Sequence, residues 1–384
     1  MKTIRGISVE GKTAVVRADY NVPVSGGEIA DDYRIQKNIP TLQYLLEKGC
    51  RLVIVSHLGR PDGEYDWRYS LTGVMEVLET QLDRPVDFAS DFDQVDSANT
   101  ITLCENLRFH PGEEANDRDF AQQIARLGDV FVQDGFGVVH RAHASTDAVT
   151  EFLPSAAGLL LEEEVRTITE TMDNPDRPLI AIMGGAKVSD KIELMRRMVS
   201  RADRMIIGGA MANTFLKYHG YDIGASTYED GQEATIADIY QQAAKKRSEG
   251  NMIWLPEDGV YVGKTLDTSA RSQASATDQV GAGDYILDDE IPGSVLDEIK
   301  NAGTVIWNGP LGMTEFPDFT HGSRAVAEAI KASSAKSVVG GGDTAGFVQQ
   351  HGLLDHFDWV STGGGAALDL MAGKELPGLI ALPD

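Results

Sequence analysis

Five times between residues 179 and 365 a short apolar run empties directly into glycine: LIAIMGGAK, RMIIGGAM, TVIWNGP, SVVGGGDT and WVSTGGG. In the first 150 residues the same kind of run leads to arginine instead, as in VVRADYN, VIVSHLGRP, TLCENLRF and VFVQDGFG followed by HRAH. Apolar runs of this length, spaced by helix-length segments, read as buried parallel strands joined by crossovers. Ligands of such sheets bind beyond the carboxyl ends of the strands. One half of the chain therefore offers guanidinium groups at its binding edge and the other offers bare backbone. Two different anionic ligands, on two sheets, are the expectation.

A length of 384 residues exceeds what a single core usually spans, so two domains are expected. The opening MKTIRGISVEGK resembles the entry to a first strand rather than a leader, and no run is long enough to cross a bilayer. Cys50 and Cys104 sit in or beside apolar runs, as small buried thiols of a reducing compartment do. A cytoplasmic location follows from that reading. The charge is more informative: 59 acidic residues stand against 34 basic ones, a net of -25, and only 14 of the basic residues are lysine. Such a surface argues against nucleic acid and anionic membrane as partners. Because the acids are spread along the chain, it suits a protein kept soluble in concentrated salt, where the Debye length shrinks to roughly 3 Å at 1 M.

Strand and helix alternate through residues 1–150 and again from Arg177 onward. Between them SAAGLLLEEEVRTITETM, residues 155–172, has helix formers, a serine start and no breaker until Asn174-Pro175. It reads as one long helix connecting two domains. No repeat of fixed period and no low-complexity segment interrupts the pattern.

In the arginine half, Arg17, Asp19 and Asn21 stand in VRADYNVP, and Arg34 opens the following helix. His57 and Arg60 lie in SHLGRP, Arg108 in ENLRFH and Arg141 in HRAH. Arginine is the residue for gripping phosphate or carboxylate in two places at once. Here the overall field repels anions, so an anion site must be made locally. His140 and His143 lack a carboxylate or cysteine at ligand spacing, and the arginine between them would repel a cation. His57 reads either as an anion donor or as a structural histidine in its loop. In the glycine half, GGAKVSDKI leads a strand into a helix and presents Lys187 and Lys191 one turn apart, in a pattern other than the Walker A loop. GGGDTAG adds Asp343, a candidate for Mg²⁺ carried on nucleotide phosphates, and Thr344, a hydroxyl donor. STGGGAALDL is a second helix opening on glycines, where unpaired N–H groups can meet a phosphate.

Taken together, RADYNVP, SHLGRPDG, ENLRFHPGEE, HRAHAST, GGAKVSDKI, WNGPLG, GGGDTA and STGGGAALDL closely resemble the phosphoglycerate kinase family, in its order and from residue 17 to about 380. The resemblance implies an α/β protein with two doubly wound, Rossmann-like parallel-sheet domains facing a cleft, joined by a long helix and capable of hinge closure. It implies a 3-phosphoglycerate domain over residues 1–154, an interdomain helix at 155–175, a nucleotide domain over 176–366, and a tail at 367–384 that returns to the first domain. Carried over, Asp19, Asn21, Arg34, His57, Arg60, Arg108 and Arg141 hold the carboxylate-phosphate substrate. Lys187, Lys191, Asn308, Glu315, Gly341, Gly342, Asp343 and Thr344 take ATP or ADP with Mg²⁺. The groups expected to act on the transferring phosphoryl are Arg34, Lys191, Gly342, Gly364 in its helix opening, and Mg²⁺. The implied partners are these small molecules, with a monomer expected.

Two stretches depart from the family pattern. QDGFGVVHRAH replaces the usual NDAFGTAHRAH, so Gln133, Val138 and Val139 change the approach to Arg141, and GGAMANTFLK has Ala210 where a third glycine is usual. Neither removes a charged group. The chemistry is consistent with the residue types: a carboxylate acceptor is ionised well below neutral pH, so no general base is needed. The task is positioning two polyanions and spreading charge. A nucleotide-binding regulatory relative would be favoured if Arg34 or Lys191 were replaced, and neither is. A dinucleotide-dependent dehydrogenase needs GxGxxG after a first strand, with a ribose-binding acid about 20 residues on, which this chain lacks.

Overall fold

The computed structural model describes residues 1–246, 252–266 and 273–383. Two compact units divide the chain, Met1–Arg166 with Lys374–Asp384, and Thr167–Gly373.

The first unit opens with β1 (Thr13–Arg17), a short hairpin of β2 (Val24–Ser25) and β3 (Glu28–Ile29), and helix α1 (Tyr33–Glu47). There follow β4 (Arg51–Val55), α2 (Thr72–Leu82), β5 (Asp87–Ala89), β6 (Ile101–Cys104), the single turn α3 (Pro111–Glu114), α4 (Arg118–Ala125), β7 (Val130–Gln133) and β8 (Ser155–Ala157). Six strands form a parallel sheet in the order β5-β6-β4-β1-β7-β8. Alternation along each strand explains why the runs are apolar throughout. Ala14, Val16, Leu52, Ile54, Val130 and Val132 face one core with Ile35, Leu42 and Leu45 of α1 and Val74 and Leu78 of α2. Val15, Val53, Val55 and Phe131 face a second core with Phe120 and Ile124 of α4. A sheet covered on both faces has no polar side to show. Each buried aliphatic side chain contributes roughly 1.5–3 kcal/mol, and Leu42→Ala, at a fully buried position, would cost about 2–5 kcal/mol.

The segment expected as one helix from residue 155 is corrected at its start: Ser155–Ala157 is strand β8, paired in parallel with β7. Helix α5 (Leu159–Asp173) begins only after Gly158, with residues up to Arg166 in the first unit and the rest in the second.

In the second unit come β9 (Leu179–Met183), α6 (Ile192–Arg201), β10 (Arg204–Ile207), α7 (Gly209–Tyr218), α8 (Glu233–Lys246) and β11 (Ile253–Trp254). The last residues of the expected helical run here, Arg247 and Ser248, lie outside the described residues. Next are β12 (Val260–Gly263), β13 (Gln273–Ser275), β14 (Tyr285–Asp289), α9 (Gly293–Lys300), β15 (Thr304–Asn308), α10 (His321–Lys331), β16 (Lys336–Gly340), α11 (Gly342–Gln350), β17 (Trp359–Val360) and α12 (Gly365–Ala372). The parallel sheet has the order β11-β10-β9-β15-β16-β17. A separate antiparallel sheet, β13-β12-β14, was not anticipated in the alternation. Both large sheets thus follow the doubly wound plan.

Residues 374–383 rejoin the first unit through α13 (Pro377–Ile380). There the Gly378 amide donates to the Val139 carbonyl at 2.8 Å, and the Lys2 amide donates to the Pro383 carbonyl at 2.7 Å. A Cβ on Gly378 would lie 3.0 Å from Val139 Cα, so the tail sits directly on that loop.

Candidate active site

Strand order reverses between β1 and β7 in the first sheet, and the arginines follow four of its strands: Arg34 opens the helix after β1, Arg60 follows β4, Arg108 follows β6 and Arg141 follows β7. Arg34, in the first turn of α1, reaches back to β1: its Nη1 is 2.9 Å from Asp19 Oδ2 and 3.1 Å from the Asn21 carbonyl. Asn21 in turn accepts from the Gly59 amide at 2.9 Å, and the Gly59 carbonyl accepts from Arg108 Nη1 at 2.7 Å. Gly59 has φ +64°, and a Cβ there would fall 2.2 Å from the Tyr69 ring, so the loop after β4 requires glycine. Arg108 is 3% exposed, with Nε 3.0 Å from Glu114. Its buried Nη2 has no hydrogen-bond partner among the described residues, which leaves a donor for an incoming anion. Arg60 is exposed beside Gly59, and Arg141 is half-buried with its Nε 3.2 Å from His140 Nε2.

His57 reports how closely these charges converge. It is 2% exposed, and burial first, then Arg17, Arg108, Arg34 and Arg141, push its pKa well below the ordinary imidazole value. It is neutral at pH 7. Its Nδ1 lies 3.4 Å from Arg17 Nη2 and 3.9 Å from Asp19 Oδ1. His57 is thus a neutral imidazole within a cationic cluster.

Arg17, grouped in the sequence with the binding arginines, is instead fully buried behind them. Its Nε donates to Ser145 Oγ at 2.6 Å, and its Nη2 lies 3.7 Å from Glu113. Glu113 accepts from the Ser145 amide at 3.0 Å and its hydroxyl at 2.6 Å. Burial pushes Glu113 up and Arg17 down, each against the attraction of the other. Burial, joined by Arg17, Arg108 and Arg141, also lowers His143 to about 4, so it too is neutral. Sequence reasoning quoted the motifs holding Glu113, His143 and Ser145 without giving these residues a role. The available signal was an acid and a hydroxyl embedded in ENLRFHPGEE and HRAHAST among arginines. Among the departures, Gln133 is buried and its Oε1 accepts from the Gly135 amide at 3.2 Å, while Val138 and Val139 are buried.

In the second sheet the order reverses between β9 and β15, and a lysine sits at the reversal. Lys191 Nζ donates to the Gly184 carbonyl at 2.7 Å and to the Asn308 carbonyl at 2.9 Å, the residues at those two strand ends. Gly309 follows with φ +102°, and a Cβ on it would meet the Gly184 oxygen at 2.2 Å and Lys191 Nζ at 2.5 Å. Thr344 Oγ1 accepts from the Gly309 amide at 2.7 Å, tying in the loop after β16. Asn308 is 2% exposed and its Nδ2 has no partner among the described residues, a second donor held ready. Gly341, with φ +90°, precedes Gly342 at the opening of α11, and Asp343 is exposed in its first turn. Burial lowers Lys191 to about 8 against the pull of Asp343 and Asp190.

The expected pairing of Lys187 with Lys191 on one helix is corrected. A 3₁₀ turn, Ser189–Lys191, separates β9 from α6, and Lys187 is exposed ahead of it. Glu315 is exposed in the loop after β15, and among the described residues no hydrogen bond links it to the Lys191 cluster. Gly364, at φ +49°, caps α12, whose Met371 packs against Gly340 at the end of β16. Ala210 stands in the first turn of α7, beside Gly209, whose amide donates to the buried Asp289 at 2.6 Å.

Among the described residues no cluster of three His, Cys, Asp or Glu could hold a metal ion, and no helix is long and apolar enough to cross a membrane. Cys50 and Cys104 are free and buried.

The phosphoglycerate kinase family profile matches residues 4–374. The phosphoglycerate kinase of Moorella thermoacetica is 42% identical over 100% of this chain and 99% of its own. That of Desulfosudis oleivorans is 43% identical over 100% and 98%. The solved structure of phosphoglycerate kinase from Coxiella burnetii superimposes with a TM-score of 0.86 at 37% identity, covering 99% of this chain and 98% of that one. Similar from end to end in both sequence and fold, the chain belongs to the phosphoglycerate kinase family.

Proposed function

We propose that this kinase moves a phosphoryl group reversibly between 1,3-bisphosphoglycerate and ADP, giving 3-phosphoglycerate and ATP, with the glycolytic acid on the first unit and the nucleotide on the second. The observation that carries the assignment is the linked cluster in which Arg34 reaches Asp19 and Asn21, Asn21 holds Gly59, and Arg108 bonds to Gly59 while its Nη2 is without a partner among the described residues. A glycerate carrying carboxylate and phosphate needs such forked donors. Asp19, Asn21, Arg34, His57, Arg60, Arg108 and Arg141 would hold it, with Asp19 orienting Arg34 rather than touching an anion.

The second unit suits polyphosphate by a different route. Asn308, Lys187, Lys191, Glu315, Thr344 and the amides of Gly341 and Gly342 would hold the nucleotide, and the glycine opening at Gly364 would lie toward the transferring group. Helix openings favour negative charge without a side chain in the way. One exposed carboxylate, Asp343, with no assembled ligand cluster among the described residues, fits an ion that arrives on the nucleotide phosphates. Mg²⁺ there would offset phosphate charge as it shifts between donor and acceptor. No base is required of the protein. Arg34 and Lys191 would stabilise the charge spread over the equatorial oxygens.

The net charge of -25 supports an enzyme of high-salt surroundings, and the two free buried thiols support a reducing, cytoplasmic compartment. A coupled assay of ATP-dependent 3-phosphoglycerate phosphorylation, run from dilute buffer to molar salt, tests both readings. Turnover with a higher melting temperature in salt is expected. Absence of turnover at every salt concentration would overturn the activity, and full stability in dilute buffer would overturn the salt adaptation.

A further inference from the structure

We propose that Asp134 is a positioning residue for the substrate arginines, registering the Arg34 helix and the Arg141 loop against each other through one buried carboxylate. The inference rests on the assignment of Arg34 and Arg141 to 3-phosphoglycerate. Asp134 follows β7 directly and is fully buried, with its amide bonded to the Arg17 carbonyl at 2.9 Å. Its Oδ2 accepts from Asn38 Nδ2 at 2.5 Å, and Asn38 lies four residues beyond Arg34 on α1. Residues four apart share a helix face, so this bond fixes the rotation with which α1 presents Arg34. Asn38 Oδ1 accepts in turn from Tyr20 at 2.6 Å, next to the Asp19 that orients Arg34.

The other carboxylate oxygen accepts from the amides of Leu160 at 3.0 Å and Leu161 at 3.2 Å, in the first turn of α5. Thr41, also on α1, bonds to the same carboxylate and accepts from the Leu159 amide at 3.0 Å. A Cβ on Gly158 would fall 2.1 Å from Asp134 Oδ1, so the glycine between β8 and α5 makes room for this carboxylate. The loop that leaves Asp134 runs on to Arg141. One side chain therefore joins the helix bearing one binding arginine, the loop bearing another and the start of α5. An apolar residue here would leave the Asn38 amide and the Leu160 and Leu161 N–H groups buried without an acceptor, so the carboxylate is what ties the three segments together. Asp134 itself is fully buried and open to no solvent-borne ligand.

The test exchanges donors and acceptors without changing shape. Asp134→Asn sets two NH₂ groups against each other, while its amide oxygen can still accept from Leu160 and Leu161. The double variant Asn38→Asp with Asp134→Asn restores a donor–acceptor pair, because the carboxylate introduced on α1 can accept both from the amide introduced after β7 and from Tyr20. Steady-state kinetics with each substrate varied and melting curves are read for both. Expected are a rise in KM for 3-phosphoglycerate, or a loss in its kcat/KM, of about tenfold in the single variant. The nucleotide KM should stay within about twofold, and the double variant should recover most of the loss. An unchanged KM and kcat/KM for 3-phosphoglycerate, equal losses for both substrates, or no recovery in the double variant would overturn the proposal. If the single variant does not fold, Thr41→Val removes one bond to the carboxylate and is read for the same split. A normal 3-phosphoglycerate kcat/KM there would overturn it too. Turnover of 3-phosphoglycerate by the unaltered enzyme decides the underlying assignment separately.

Discussion

On the proposed assignment, the two units would meet anions by opposite means. In the first, cations are side chains held at least partly out of solvent by an acid or a carbonyl: half-buried Arg34 by Asp19, and buried Arg108 by Glu114 and Gly59, with Arg17 set behind them by Glu113. In the second, one half-buried lysine is set by two carbonyls, and most of the other donors are backbone and amide groups at strand and helix ends. Fixed guanidinium forks distinguish a small carboxylate-phosphate by geometry. A glycine edge accepts a longer polyphosphate because nothing protrudes from it. The difference also separates their vulnerabilities. The first unit is sensitive to loss of a side chain, the second to gain of one and to pH.

Removing Arg34 should have the largest effect. Arg34→Ala is expected to lower kcat by on the order of 10²-fold or more with a modest change in nucleotide KM, since its charge would be needed at the transferring group. A raised substrate KM with normal kcat would reduce Arg34 to a binding residue. Next is the converse change in the other unit. Gly309→Ala places a methyl against the Gly184 carbonyl and Lys191 Nζ at a positive φ, a strain of roughly 1–3 kcal/mol. Its nucleotide KM should rise about tenfold while KM for 3-phosphoglycerate holds. Equal changes in both constants would dissolve the distinction between the units.

The smallest effect is in pH. Lys191 is charged below about 8 and neutral above it, because burial disfavours the ammonium. The kcat/KM for nucleotide should therefore fall as pH rises through about 8, and Lys191→Arg should move that limb upward. In kcat the limb should be weaker, since bound polyphosphate restores the charge. A flat profile from pH 7 to 9 would show that the lysine charge is not what the nucleotide side uses.

Most strands of both sheets were legible because buried parallel strands leave uninterrupted apolar runs, as LIAIM does for Leu179–Met183, whereas the three-residue edge strand Asp87–Ala89 opens on an exposed acid and was not read. Ser155–Ala157 was not, because a serine and two alanines suit a helix as well as a strand, and three residues show no period. The antiparallel strands at Val260–Gly263 and Tyr285–Asp289 escaped for a related reason: their partners are set by tertiary pairing, not by local pattern. At the binding edges, arginines and glycines were visible as residue types, but depth was not. Arg17 and Arg108 look alike in sequence, yet one has every polar direction filled and the other keeps a free donor. Asp134 read as one more acid in an acidic chain, since only the fold brings Asn38, Thr41 and Leu160 to it.

The tail's return has a consequence for how the molecule is made. The first unit is discontinuous, its sheet laid down by residue 157 and its last segment supplied by residues 374–383. On a ribosome the second unit must be synthesised in full before Gly378 can reach Val139 or Pro383 can reach Lys2. The loop leading to Arg141 thus waits, in every newly made copy, for residue 378 to be synthesised before this contact forms. Completion of the first unit is timed by synthesis of the second, and a ribosome that stalls before residue 378 leaves a first unit with its sheet built and that contact unmade.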